Sequence, residues 1–109
     1  MDLGQIQETI IKGNWVMSCH ARQRTGQRCI SATDMIVALL TGEILEDYPE
    51  DPRGPSCLVL GHIPDGRSIH IVCSLDNDGT LIIITVYIPE PPKWINERSR
   101  GNAGGNKDD

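Results

Sequence analysis

Four apolar runs broken by turn signals make up the second half of the chain, and that pattern limits the folds open to it. The runs are GEILEDY (42–48), CLVLGHI (57–63), SIHIVCSL (68–75) and TLIIITVYI (80–88). They are rich in Ile, Leu and Val, which suit a pleated and half-buried surface. EDPRGPS, Pro64-Asp65-Gly66-Arg67 and Asp76-Asn77-Asp78-Gly79 separate them and read as tight connections. Short connections make neighbours antiparallel, so the four strands are predicted to form a meander. With no Phe and only 4% aromatic residues, the core must be aliphatic.

Before residue 42 the period is helical. Leu3, Ile6 and Ile10 predict a helix over 3–12, stopped by Gly13. Ser18 is a good N-cap for a second helix running to about Gln27. Ser31-Ala-Thr-Asp34 fits a capping box and opens a third, with Met35, Ile36, Leu39 and Leu40 on one face and Gly42 behind them. Helices first and strands afterwards predict an α+β domain over 1–94, its helices packed on one face of a four-stranded antiparallel sheet. Residues 95–109 end in GNAGGNKDD, which has no large apolar side chain, and are read as a disordered tail.

Strand parity assigns the faces. Ile69, Ile71, Cys73 and Leu75, with Ile82, Ile84, Val86 and Ile88, are predicted under the helices. The other face then carries His70, Val72 and Ser74, and Leu81, Ile83, Thr85 and Tyr87, with Glu46 and Tyr48 sharing a parity in the first strand. A face mixing His, Ser, Thr and Tyr with aliphatics reads as a groove floor.

Several classes are set aside. No run approaches the ~20 apolar residues of a membrane span. The N-terminal MDLGQIQETIIKGNW has acids where an export leader is basic, so a cytoplasmic protein without a membrane partner is expected. Cys19, Cys29, Cys57 and Cys73 form no C-x-x-C and are read as buried free thiols. A metal site assembled from Cys19, His20, Cys57 and His70 is the alternative, and no metal or cofactor is expected. The net charge of -5 argues against broad non-specific nucleic-acid binding but leaves room for a local basic site.

Such a site exists in SCHARQRTGQRCIS (18–31), with one histidine, three arginines and no acid. His20, Arg24 and Arg28 are four apart and would share one helical stripe. In one reading the arginines pair with the acidic strip at Glu43, Glu46, Asp47, Glu50 and Asp51. In the other they grip phosphates as forks, beside a histidine able to act near neutral pH. His70 reads either as a satisfied strand histidine or as a proton carrier. Tyr48, Tyr87 and Thr85 suit a half-buried face, Arg53 is a loop arginine or a phosphate contact, and Trp94 is expected to staple the C-terminal segment to the body. The candidate catalytic residues are therefore His20, His70, Arg24 and Tyr87. Arg28, Arg53, Tyr48 and Thr85 are the candidate substrate-binding residues.

H-A-x-x-R at His20 to Arg24, R-x-I-S at Arg28 to Ser31, GEILEDYP at 42–49, PSCLVLG at 55–61, IHIV at 69–72 and ITVYIP at 84–89 together resemble the small bacterial family catalogued as domain of unknown function 4258. Members often read H-A-x-x-R-M-x-x-R-G-I-S. Here Thr25 replaces the usual Met and Cys29 the usual Gly, with Gly26 a substitute source of backbone freedom. The resemblance implies a compact fold similar to the RelE/ParE and BrnT toxins of toxin–antitoxin pairs, with the sheet face and the basic helix forming an RNA groove. The implied activity is a metal-independent endoribonuclease or an RNA-binding toxin. Its implied partners are RNA and a small antitoxin-like protein, and a homodimer joined along an edge strand is compatible with this reading and with the alternative. The alternative is a non-catalytic protein-binding module acting through the acidic strand or a sheet edge.

Overall fold

The computed structural model describes residues 1–52 and 54–101. Three polar N-caps start three helices. Asp2 accepts from the Gly4 amide at 3.1 Å and opens α1, Leu3–Ile11. Ser18 accepts from Ala21 N at 3.0 Å and opens α2, Cys19–Gln27. Ser31 and Asp34 close a capping box that opens α3, Ala32–Thr41. Each cap satisfies amides that the first helical turn leaves without a partner.

The strands are β1 (Trp15–Met17), β2 (Glu43–Tyr48), β3 (Ser56–His62), β4 (Ser68–Leu75) and β5 (Leu81–Tyr87). They form one five-stranded sheet in the order β1-β5-β4-β3-β2. β2 to β5 form the expected antiparallel meander. The expected four-stranded antiparallel sheet is corrected at its edge. β1 pairs in parallel with β5, Trp15 against Leu81 and Met17 against Ile83, so the sheet is mixed. Strand β1 has only three residues, too few to show a period of two, and its partner lies at the far end of the meander.

Parity also needs correction. β5 carries a bulge: Thr85 pairs with Val72 but Ile83 with Cys73, leaving Ile84 as the extra residue. A bulge shifts the side-chain alternation by one. Leu81, Ile83 and Val86 therefore all join the helix-side core, while Ile84 and Tyr87 face the other way. A second bulge in β2, between Ile44 and Glu46, leaves Leu45 and Tyr48 with that second face.

The helix-side core joins Ile6, Ile10, Ala21, Met35 and Leu39 to Val59, Ile71 and Ile83. α3 lies hard against β3, where a Cβ on Gly61 would stand 2.6 Å from the Ala38 Cβ. The expectation of buried thiols is met by Cys57 and Cys73, whose sulfurs lie 4.0 Å apart across β3 and β4. Cys19 and Cys29 are exposed.

On the second face Leu58, Val72 and Tyr87 pack around Trp94. Trp94 is 2% exposed. The chain continues to bond beyond it: Ile95 N donates to Ser99 O at 2.8 Å and Gly101 N to Lys93 O at 2.7 Å. Residues 95–101 thus lie folded against the sheet, where the sequence reading began a disordered tail. Residues 102–109 of that tail lie outside the described residues.

The turn after α2 is a Schellman motif, with Ile30 N donating to Thr25 O at 2.9 Å and Cys29 N to Gly26 O at 3.4 Å. Cys29, not Gly26, takes the left-handed conformation, at φ 54°. A β-carbon is strained there and glycine is not. Cys29→Gly is expected to stabilise the fold by about 1 kcal/mol, raising the melting temperature by roughly 4–8 °C. Thermal melting of the two proteins measures it, and an unchanged or lower midpoint counts against the strain.

Candidate functional site

Helix α2 continues the sheet edge that β1 leaves. After Met17, Ser18 N donates to Ile83 O at 2.9 Å and Ser18 Oγ to Ile84 O at 2.7 Å. This anchors the helix N-terminus beside the middle of β5. At the other end, Arg67 in the β3–β4 turn donates to Arg28 O at 2.7 Å and to Cys29 O at 3.1 Å. A guanidinium on the last carbonyls of a helix satisfies orphan acceptors and complements the helix dipole. Asp65 holds Arg67 in place through Nε at 2.8 Å.

Ala21 and Thr25 turn inward and are buried, while His20, Arg24 and Arg28 form the predicted stripe, each half-buried. Arg24 Nη1 donates to Gln27 Oε1 at 3.3 Å. His20 Nε2 is buried and makes no hydrogen bond among the described residues. The acidic strip is at the far edge, on β2. The carboxylates on β2 itself are paired elsewhere: Glu43 with Arg98, Glu46 with Arg100, and Asp47 with the amino group of Met1 at 2.9 Å.

Where α2 ends, a cleft of about 290 Å³ opens between it, the end of β5 and the proline turn behind it. Arg28, Tyr87, Glu90, Lys93 and Trp94 line it. Behind Tyr87 stands His70, its Nδ1 3.1 Å from the Tyr87 hydroxyl and its Nε2 2.7 Å from the carbonyl oxygen of Glu97. A carbonyl can only accept, so Nε2 bears the hydrogen. In the neutral ring Nδ1 then accepts, and Tyr87 is the donor.

The groove-floor expectation is corrected by this geometry. His70 is 0% exposed and both ring nitrogens are bonded, so it cannot meet a substrate directly. The Trp94 ring lies edge-on to His70, centroids 4.4 Å apart. Arg100 stacks on Trp94 at 4.6 Å and forks onto Glu46 at 2.9 and 2.6 Å. Tyr48 donates to the same carboxylate and accepts from Arg100 at 3.3 Å. Tyr48 is thus part of a clamp on the C-terminal segment.

Of the predicted residues, the structure joins His70 to Tyr87 and places Arg28 in the same cleft. Thr85 is 0% exposed, and its Oγ1 has no hydrogen-bond partner among the described residues. Arg53 lies outside the described residues. His20 reaches neither His70 nor Tyr87 by a hydrogen bond. Sequence reasoning missed Arg67, Glu97 and Arg100, because isolated charges in turns carry no pattern. Among the described residues no group of three His, Cys, Asp or Glu is placed to hold a metal. No helix among them is long and apolar enough to cross a membrane.

Burial lowers the tendency of His70 to protonate, against the opposing pull of the Glu97 carbonyl and the Glu46 charge. Arg100, and then Tyr48, hold Glu46 below the ordinary carboxylate value. Both folded-state values are depressed, so the unfolded chain takes up protons first and stability falls as pH drops. For His70 the loss begins near its ordinary value of 6.5, and for Glu46 near 4.5. The melting temperature is expected to fall between pH 7 and pH 5, and less steeply in His70→Gln. Identical slopes for the two proteins would show that His70 is not the titrating group.

Neither a curated protein nor a solved structure matches the chain. Residues 17–88, from the last residue of β1 to just past β5, match the family described as a domain of unknown function (DUF4258). The match takes in α2, its capped end and the whole meander, and on that extent the chain belongs to the DUF4258 family.

Proposed function

We propose that the protein is a toxin-like endoribonuclease that works without a metal, with its active site in the cleft between α2 and the end of β5. The observation that carries this reading is Tyr87. It lines the cleft beside Arg28 with only 4% of its surface exposed, and it donates to a histidine that burial keeps neutral. A neutral imidazole behind a phenol can receive its proton at the moment the phenol oxygen takes one from substrate.

The reaction is a transesterification within RNA. The ribose 2′-oxygen attacks the adjacent phosphorus as its proton passes to the Tyr87 oxygen, and the Tyr87 proton passes to His70 Nδ1. The bond from phosphorus to the 5′-oxygen breaks, leaving a 2′,3′-cyclic phosphate. A water in the cleft protonates the departing 5′-oxygen, and the proton on His70 then returns to solvent through Tyr87. Arg24 and Arg28 hold the phosphate, with forks suited to paired oxygens. The order of elements, two adjacent helices ahead of a meander, supports the likeness to RelE/ParE and BrnT toxins that the family resemblance implies.

The competing reading is a partner-binding module. The acidic strand is a poor docking surface, because Glu43, Glu46 and Asp47 already have partners within the chain. The β1 edge serves better: Val16 is 49% exposed, and the strand has a neighbour on one side only.

RNA cleavage in the presence of a chelator separates the two. The ribonuclease should cut RNA but not its 2′-deoxy equivalent, and Tyr87→Phe should lower kcat by about 10²–10⁴-fold. Arg24→Ala with Arg28→Ala should flatten the dependence of log affinity on log salt by roughly 1.4, at about 0.7 per phosphate contact. Equal activity of Tyr87→Phe and wild type sinks the catalytic assignment. A protein inert on RNA that binds a small protein stoichiometrically, and loses it on Val16→Lys, supports the module instead.

A further inference from the structure

The C-terminal segment closes the second core with Trp94, and it also presents a backbone carbonyl to the buried end of the His70–Tyr87 pair. Glu97 O is the acceptor that puts the His70 hydrogen on Nε2, and so turns Nδ1 toward the Tyr87 hydroxyl. Without that carbonyl the imidazole loses the bond that fixes the hydrogen on Nε2, and only its weaker intrinsic preference remains. With Nδ1 protonated, the bond to Tyr87 would run the other way.

The segment reaches this position because its charges are tied to three strands. Arg100 forks onto Glu46 of β2, and Arg98 donates to Glu43 of the same strand. The Glu97 carboxylate accepts from Ser68 of β4 at 2.8 Å and lies 3.4 Å from His62 Nε2 at the end of β3. Trp94 is held between the Arg100 guanidinium and the His70 ring. A continuous line of contacts therefore runs from Glu46 through Arg100, Trp94 and His70 to Tyr87, which lines the cleft.

We propose that residues 94–100 are a positioning strap for the cleft: through Trp94, Arg100 and the Glu97 carbonyl they fix His70 as the Nε2–H tautomer and make Tyr87 its donor. The importance of this for catalysis rests on the endoribonuclease reading above, but the tautomer itself does not. Trp94 forms part of the cleft wall and Arg100 stacks on it; neither is assigned contact with the reacting atoms, and both are positioning residues. The strap lies outside the family match, which ends at residue 88.

Nitrogen-15 NMR of the full chain reads the tautomer of His70 at pH 8. Wild type should show one neutral form, protonated on Nε2. In Arg100→Ala and Trp94→Phe the His70 signals should move toward a mixture of the two neutral forms. If RNA is cleaved, kcat should fall by roughly 10- to 100-fold with KM within about twofold, the size expected of a misplaced catalytic group. Arg100→Lys keeps the charge without the fork and should fall between. It also serves as the folded variant if Arg100→Ala does not fold.

A wild-type His70 protonated on Nδ1 overturns the proposal outright. So does a folded Arg100 variant with an unchanged tautomer, which makes the segment a cover only. A tautomer that moves with the strap, in a protein that leaves RNA intact, upholds the strap and removes the ribonuclease reading.

Discussion

A sheet whose central strands are apolar on both sides must be covered on both, and the helices of this chain cover only one. Val59, Ile71 and Ile83 face the helices, while Leu58, Val72 and Tyr87 face away. Leaving the second set wet would forfeit about 25 cal/mol for each Å² of apolar surface. The C-terminal segment supplies the cover by driving Trp94 into that face. Once Trp94 is there, His70 must be dry, its nitrogens must find partners within the chain, and burial must hold it neutral.

The position of α2 follows from a different economy. The β1 strand occupies the edge of β5 only as far as Ile83. Ser18 then turns the chain out of the sheet while satisfying two carbonyls of β5, and the helix shields the remaining edge. Arg67 and the left-handed Cys29 finish the helix within reach of the cleft. The basic stripe thus lies beside the end of β5 because of how an exposed sheet edge is closed, and the acidic strip lies three strands beyond β5 across the same sheet.

Most of the architecture was legible where a local rule governs it. The caps at Ser18 and Ser31 and the turns of the meander each depend on a few adjacent residues, and all lie where the sequence places them. What escaped was set at long range. The β1 pairing joins residues more than sixty apart, and the two bulges answer to packing on a neighbour strand. The site divides the same way. The stripe on α2 follows from helical spacing, and the pairing of His70 with Tyr87 follows from strands that the sequence already placed side by side. The cover over them was invisible, because NERSR reads as a polar tail until Arg98 and Arg100 meet Glu43 and Glu46 on another strand. Polarity alone does not distinguish a solvated segment from one tied down by complementary charges.

The distribution of thiols gives the molecule a built-in ruler. Cys57 and Cys73 are sealed in the core, while Cys19 and Cys29 are exposed and flank α2 at its two ends. Ten residues of helical rise put these two about 15 Å apart. Reagents that enter only from solvent would tag the native chain at both ends of its basic helix, with no cysteine added or removed. A pair of labels there would span α2 from end to end and report whether the helix keeps its length, whatever ligand the cleft receives.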